Sequence, residues 1–145
     1  MKVRDLMTAN VSYVQETDPV QKAAQIMNSV NCGSVPVCDA NKHVVGIITD
    51  RDICCKAVAK GNFNAKVSDC MSRQVVTCTP ETDAHEAADL MARHQIRRLP
   101  VCDASGKLQG ICAIGDLARQ NIHINEAGDA LSHISQPTQA QSQLQ

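Results

Sequence analysis

Aromatic residues are almost missing from this sequence: it has no tryptophan, and Tyr13 and Phe63 are its single tyrosine and single phenylalanine. A core must therefore be assembled from Val, Ile, Leu, Met, Ala and Cys, and the stacked rings that single-stranded nucleic acids use as platforms are lacking. An excess of positive charge is missing too. Fourteen Lys and Arg against fifteen Asp and Glu leave a formal net charge of -1, with no broad basic field for nucleic acid or anionic lipid. No apolar run approaches the roughly 20 residues of a membrane span, so neither nucleic acid nor membrane is an expected partner. The opening Met1-Lys2-Val3-Arg4-Asp5 has no apolar stretch of the kind a signal peptide needs, and a reducing cytoplasm is the expected compartment.

Cysteine is plentiful, with eight residues at 32, 38, 54, 55, 70, 78, 102 and 112, but the spacings that hold zinc are absent. There is no CxxC pair and no histidine at ligand distance in sequence, so no structural metal is expected. Cys38, Cys102 and Cys112 lie inside apolar runs, where a free thiol behaves as a small hydrophobe. Cys54 and Cys55, adjacent on an expected helix, should point to different sides, one packed and one partly exposed; a redox-sensing role is the sharper alternative. The histidines at 43, 85, 94, 123 and 133 are scattered and read as surface residues. Hydrolase, zinc-protease, phosphate-loop and dinucleotide signatures (G-x-S-x-G, H-E-x-x-H, G-x-x-x-x-G-K-S/T, G-x-G-x-x-G) are also missing, so no enzyme is expected.

What the sequence does have is a repeat. Val3-Arg4-Asp5-Leu6-Met7 returns 64 residues later as Val67-Ser68-Asp69-Cys70-Met71, and Ala23-Ala24-Gln25-Ile26-Met27 returns as Ala87-Ala88-Asp89-Leu90-Met91. Pro36-Val37-Cys38-Asp39 recurs as Pro100-Val101-Cys102-Asp103, Gly46-Ile47 as Gly110-Ile111, and Asp52 as Asp116. A slip of one residue sets Glu16-Thr17-Asp18 against Glu81-Thr82-Asp83. Internal repetition of this kind marks duplication of one structural unit.

Each copy changes its periodicity in the same order. Val11–Val14 and Val75–Cys78 are short and rich in β-branched residues, and read as strands. Val20, Ala23, Ala24, Met27 and Val30 then share one helical face, as do Ala84, Ala87, Ala88 and Met91. Two apolar runs around a polar loop follow as a hairpin: Ser34–Cys38 with Val44–Ile48, and Leu99–Cys102 with Leu108–Cys112. A second helix begins near Thr49 and near Ala113. The expected fold is thus α/β of the α+β type, two β-α-β-β-α motifs, each with one sheet face left for a partner. The copies span 1–60 and 67–122 around a linker at 61–66. Glu126–Ser132 is expected to add a helical turn or two, and Gln136–Gln145 to be a disordered Gln-rich tail.

The repeated D-x-M opening, the strands Val-Pro-Val-Cys-Asp and Leu-Pro-Val-Cys-Asp, and Gly46-Ile47-Ile48-Thr49-Asp50-Arg51-Asp52-Ile53 together resemble the CBS motif. The resemblance covers residues 1 to 120 and implies a pseudo-two-fold pair with two equivalent clefts, a homodimer of such pairs, and adenosine ligands such as AMP, ADP, ATP or S-adenosylmethionine. It implies no further cofactor. The signature stretch Gly-h-x-Thr/Ser-x-x-Asp holds ribose and phosphate; the first copy matches it with Thr49 and Asp52, while the second keeps Asp116 but has Ala113 in place of the hydroxyl.

A carboxylate is acceptor-only, so one Asp is able to take hydrogen bonds from both hydroxyls of a ribose diol. Thr49 and Asp52 open a helix, where free backbone N–H groups favour a phosphate. Arg97 and Arg98, before the second Leu-Pro-Val strand, supply guanidinium forks where related pairs meet phosphate; Gly33 and Ser34 occupy the same positions in copy one, so the two clefts are chemically unequal. One site is therefore assigned to Thr49 and Asp52 with Ile96 beside the base, the other to Asp116, Arg97 and Arg98 with Cys32 beside the base. The competing readings are a plain helix cap at Thr49-x-x-Asp52, solvated arginines, and a ligand-free interaction scaffold or a redox- or metal-responsive protein. The leading reading is a regulatory module that signals nucleotide occupancy to an unknown regulated protein.

Overall fold

The computed structural model describes residues 1–120 and 124–137. Its elements are β1 (Thr8–Ala9), α1 (Val20–Val30), β2 (Ser34–Cys38), β3 (Val44–Thr49), α2 (Asp50–Lys56), α3 (Val67–Cys70), α4 (Ala84–His94), β4 (Arg98–Cys102), β5 (Leu108–Ala113), α5 (Ile114–Ala118) and α6 (Ile124–Ile134). They gather into two compact units that are not contiguous in sequence. One holds Met1–Ala9, Val76–Val101 and the chain from Gly110 onward; the other holds Asn10–Val75 and Cys102–Gln109.

In the unit around Asn10–Val75, β2 and β3 form an antiparallel hairpin from Ser34↔Thr49 to Cys38↔Val44. Val14 adds a parallel bridge to Val37, and Ser72 an antiparallel bridge to Ile47. The core is Val14, Val20, Ala23, Met27, Val35, Val37, Ile48 and Val67, with Ile53 packed against it. The other unit repeats the plan: its sheet runs β1-β5-β4, Thr8 pairs with Ile111, and Cys78 bridges Val101 in parallel. Ala84, Ala87, Met91, Leu99, Val101, Cys112 and Leu117 fill that core. Asn31 and Gln95, 64 residues apart, end α1 and α4 in the left-handed region at φ 55° and 53°.

Four expectations are corrected. Val11–Val14 and Val75–Cys78 are not strands; each contributes a single bridge, because the next backbone N–H is taken by a turn. Gln15 N–H donates to Asp18 Oδ2 at 2.7 Å, and Thr79 N–H to Thr82 Oγ1 at 3.0 Å. On α1 the apolar face is narrower than its spacing suggests, since Ala24 and Val30 are exposed, whereas all four apolar positions of α4 are buried. The difference is α6, which packs on α4 and α5 and covers Ala88. That helix is longer than a turn or two because Ala127 and Ala130 are buried and Ile134 packs on the core, a one-sided stripe at helical spacing. Cys54 and Cys55 are both exposed, as α2 buries no residue completely. Of the expected polar tail, residues 138–145 lie outside the described residues, as does His123. No helix among the described residues is long and apolar enough to cross a membrane.

Cys38, Cys102 and Cys112 are buried thiols, as their apolar runs suggest. Burial pushes Cys38 and Cys102 up to about 11 and Cys112 to about 12, from an ordinary 9.0. Once pH exceeds that ordinary value, the unfolded chain sheds thiol protons that the folded chain keeps, so the unfolded state is favoured as pH rises. Urea midpoints should therefore fall between pH 8 and pH 11, and less steeply in Cys112→Val.

Gly46 and Gly110 sit where the sheets are tightest. A Cβ on Gly46 would lie 2.4 Å from the Ser72 carbonyl oxygen, and one on Gly110 2.4 Å from that of Thr8. Gly128, inside α6, has open space around it. Gly46→Ala and Gly110→Ala should each destabilise by about 1–3 kcal/mol, while Gly128→Ala should stabilise by about 0.5–1 kcal/mol, read as shifts in chemical-denaturation midpoint.

Candidate functional site

The turn from β3 into α2 is closed by two reciprocal bonds. Thr49, extended at φ -114° and ψ 163°, is the N-cap; its Oγ1 accepts from the Asp52 N–H at 3.0 Å, and Asp52 Oδ2 accepts from the Thr49 N–H at 3.0 Å. The other carboxylate oxygen, Oδ1, faces Lys56 Nζ at 3.2 Å, one helical turn on. Lys56 is itself steadied by the Cys70 carbonyl at 3.2 Å. The Asp52 side chain keeps 17% exposure, so its spare lone pairs are reachable.

The second copy builds the same turn without the hydroxyl. Ala113 has nearly the same backbone, φ -111° and ψ 155°, and its N–H donates to Asp116 Oδ2 at 2.8 Å. Asp116 Oδ1 is held by the Arg119 guanidinium, and the residue is 8% exposed, the one buried charged group among the described residues. A carboxylate is expensive to bury unless paired, and here both oxygens are engaged. The helix-cap geometry is therefore real at Thr49, yet the carboxylate holds its position in the copy where half of the cap is gone.

The residues before the hairpins also correspond. Gly33 O accepts from the Asp50 N–H at 2.9 Å, and Arg97 O from the Ile114 N–H at 2.8 Å. Ser34 and Arg98 open β2 and β4, both half-buried. Arg97 is exposed, and neither Arg97 nor Arg98 has an acidic partner within 4.0 Å among the described residues. Cys32 is half-buried with its Sγ donating to Ser34 O at 3.2 Å, and Ile96 is half-buried against the core of its unit. One unit thus brings together Cys32, Gly33, Ser34, Thr49 and Asp52; the other brings together Ile96, Arg97, Arg98 and Asp116.

Sequence reasoning missed Lys56 and Arg119 as the cations that hold the two carboxylates, and Asp50 as the neighbour of Gly33. The i+4 spacing of Asp52 to Lys56 and the i+3 spacing of Asp116 to Arg119 were the available signals. Elsewhere, a shallow groove of about 290 Å³ along α4 and α6 is lined by His85, Asp89, Arg93, Glu126 and His133, with His85 Nδ1 at 2.6 Å from Glu126. Among the described residues no three His, Cys, Asp or Glu side chains converge as metal ligands.

Comparison with known proteins gives this geometry a family. The CBS domain model matches twice, at residues 3–57 and 67–122. The chain is 40% identical over 134 residues to the CBS domain-containing protein YhcV of Bacillus subtilis, covering 92% of this chain and 94% of that one. The solved structure of CBSX2 in complex with AMP superposes with a TM-score of 0.75 at 29% identity, over 86% of this chain and 98% of the other. The CBS domain pair of protein MJ0100, in complex with 5′-methylthioadenosine and S-adenosylmethionine, superposes with a TM-score of 0.71 at 26% identity, over 82% and 94% of the two chains. With two domain matches spanning most of its length, the chain belongs to the CBS-domain family and is a tandem pair.

Proposed function

We propose that this pair is a non-catalytic regulatory module that binds an adenosine nucleotide, with Asp52 and Asp116 accepting hydrogen bonds from ribose hydroxyls. The observation that carries the reading is the survival of the carboxylate at the second β-α turn, in the same geometry, where the capping hydroxyl has been replaced by Ala113. Asp116 keeps its own bond to the Ala113 N–H although the hydroxyl half of the box is gone, so the carboxylate's place does not depend on that hydroxyl. Each aspartate spends one oxygen on its own backbone and one on a cation, leaving a lone pair on each for a diol. Complexes with AMP and with adenosyl thioethers and sulfoniums in structures of the same fold support that ligand class.

Regulation follows if the ligand prefers one arrangement of the pair or of a homodimer, since a ligand shifts an equilibrium only by its differential affinity. The output is then read by a protein partner. Eight cysteines, two of them exposed on α2, suit a reducing compartment such as the cytoplasm.

Thermal melting of the full chain with AMP, ADP, ATP and S-adenosylmethionine tests the reading. At least one should stabilise, by about 2.7 kcal/mol at 100 times its Kd. Asp52→Ala and Asp116→Ala should each weaken binding about tenfold at one site. Absence of any shift would favour a ligand-free scaffold, and a response to dithiothreitol alone would favour a redox device built on the exposed Cys54 and Cys55.

A further inference from the structure

At the position that precedes each hairpin, one copy has a glycine beside a carboxylate and the other an arginine. In one unit a Cβ on Gly33 would lie 2.9 Å from Asp50 Oδ2, so the space a side chain would enter is occupied by a carboxylate. That carboxylate accepts from the Arg51 N–H and has no cation within 4.0 Å among the described residues. In the other unit the residue corresponding to Gly33 is Arg97, and the residue corresponding to Asp50 is Ile114, joined by the same backbone hydrogen bond. There the acid is replaced by Ile114, which packs on the core, and exposed Arg97 has no acidic partner within 4.0 Å among the described residues.

The surrounding charges deepen the contrast. Around Thr49, the stretches Cys32–Ser34 and Thr49–Lys56 hold Asp50 and Asp52 against Arg51 and Lys56, a balance of zero. Around Ala113, the stretches Ile96–Arg98 and Ala113–Gln120 hold Asp116 against Arg97, Arg98 and Arg119, an excess of two positive charges. A phosphoryl group carries about -1.5 to -2 at neutral pH. The second environment neutralises such a charge; the first sets Asp50 against it.

We infer that the two ribose carboxylates serve different ligands: Asp116, with Arg97 and Arg98, takes an adenosine bearing a 5′-phosphate, whereas Asp52, with Asp50 beside it, takes an adenosine whose 5′ substituent is uncharged or cationic, such as a thioether or sulfonium. This rests on the ribose-binding reading above and assigns Asp50 as the residue that excludes phosphate. The module then reports two metabolite classes at once.

Titration calorimetry of the full chain with AMP and with 5′-methylthioadenosine decides it, with melting curves confirming that each variant is folded. AMP should saturate at one per chain in the wild type, and Arg97→Gln should weaken it about tenfold. Asp50→Asn, an exposed and isosteric change, should open the second site to AMP and raise the stoichiometry to two. Asp52→Ala should weaken 5′-methylthioadenosine by a similar factor. AMP filling two sites in the wild type, or an Asp50→Asn stoichiometry unchanged from one, would overturn the inference while leaving ribose recognition standing. Failure of both ligands to bind the wild type would overturn both.

Discussion

A single hydrogen bond, from the last backbone N–H of a strand to the carboxylate three residues on, fixes the turn on which each half of this protein is organised. The Thr49 and Ala113 amides make it to Asp52 and Asp116. The bond closes the strand-to-helix corner, aims the second helix back across the sheet, and holds an acceptor-rich group at the corner itself. The cost of partly burying a charge is offset by the cation each helix supplies, Lys56 in one case and Arg119 in the other. The same interaction thus closes the corner and leaves acceptor oxygens there, and a helix-cap motif in the sequence does not exclude a binding role.

Much of this was legible from the repeat. Two copies of one pattern identified the hairpins, the helices α1 and α4 and the matched aspartates, because a coincidence at one position is hard to sustain at five with a common spacing. Where the structure departs, the causes are local competition and missing tertiary context. Val14 and Cys78 look like strand residues, and each does pair once, but turn hydrogen bonds at Gln15 and Thr79 capture the adjoining backbone. The exposure of Ala24 and Val30 was not readable from helical spacing, since nothing in α1 reveals that the covering helix exists for α4 alone. Side-chain partners such as Arg119 were readable in principle from i+3 and i+4 spacing, but the sequence does not say which of several nearby cations is used.

Duplication has left the two halves alike in backbone and different in chemistry. Both keep the left-handed helix ends, the close-approach glycines and the carboxylate corners, features that the fold cannot exchange cheaply. They differ at the corners themselves: Thr49 and Ala113, Gly33 and Arg97, and Asp50, exposed, against Ile114, which packs on the core of its unit. The paired cores keep the same plan, with Ala23, Met27, Val35, Val37 and Ile48 in one matched by Ala87, Met91, Leu99, Val101 and Cys112 in the other, while charge and hydrogen-bonding groups at the corners change.

The glycines at 46 and 110 carry one more implication. Each faces a carbonyl, Ser72 or Thr8, that belongs to the opening stretch of the opposite copy, so each sheet borrows its outer edge from the other half of the gene. A half-length fragment cut at the linker would be left with an unpaired, adhesive border. The duplication is therefore an exchange of opening segments, and one copy alone lacks the edge that the other supplies to its sheet.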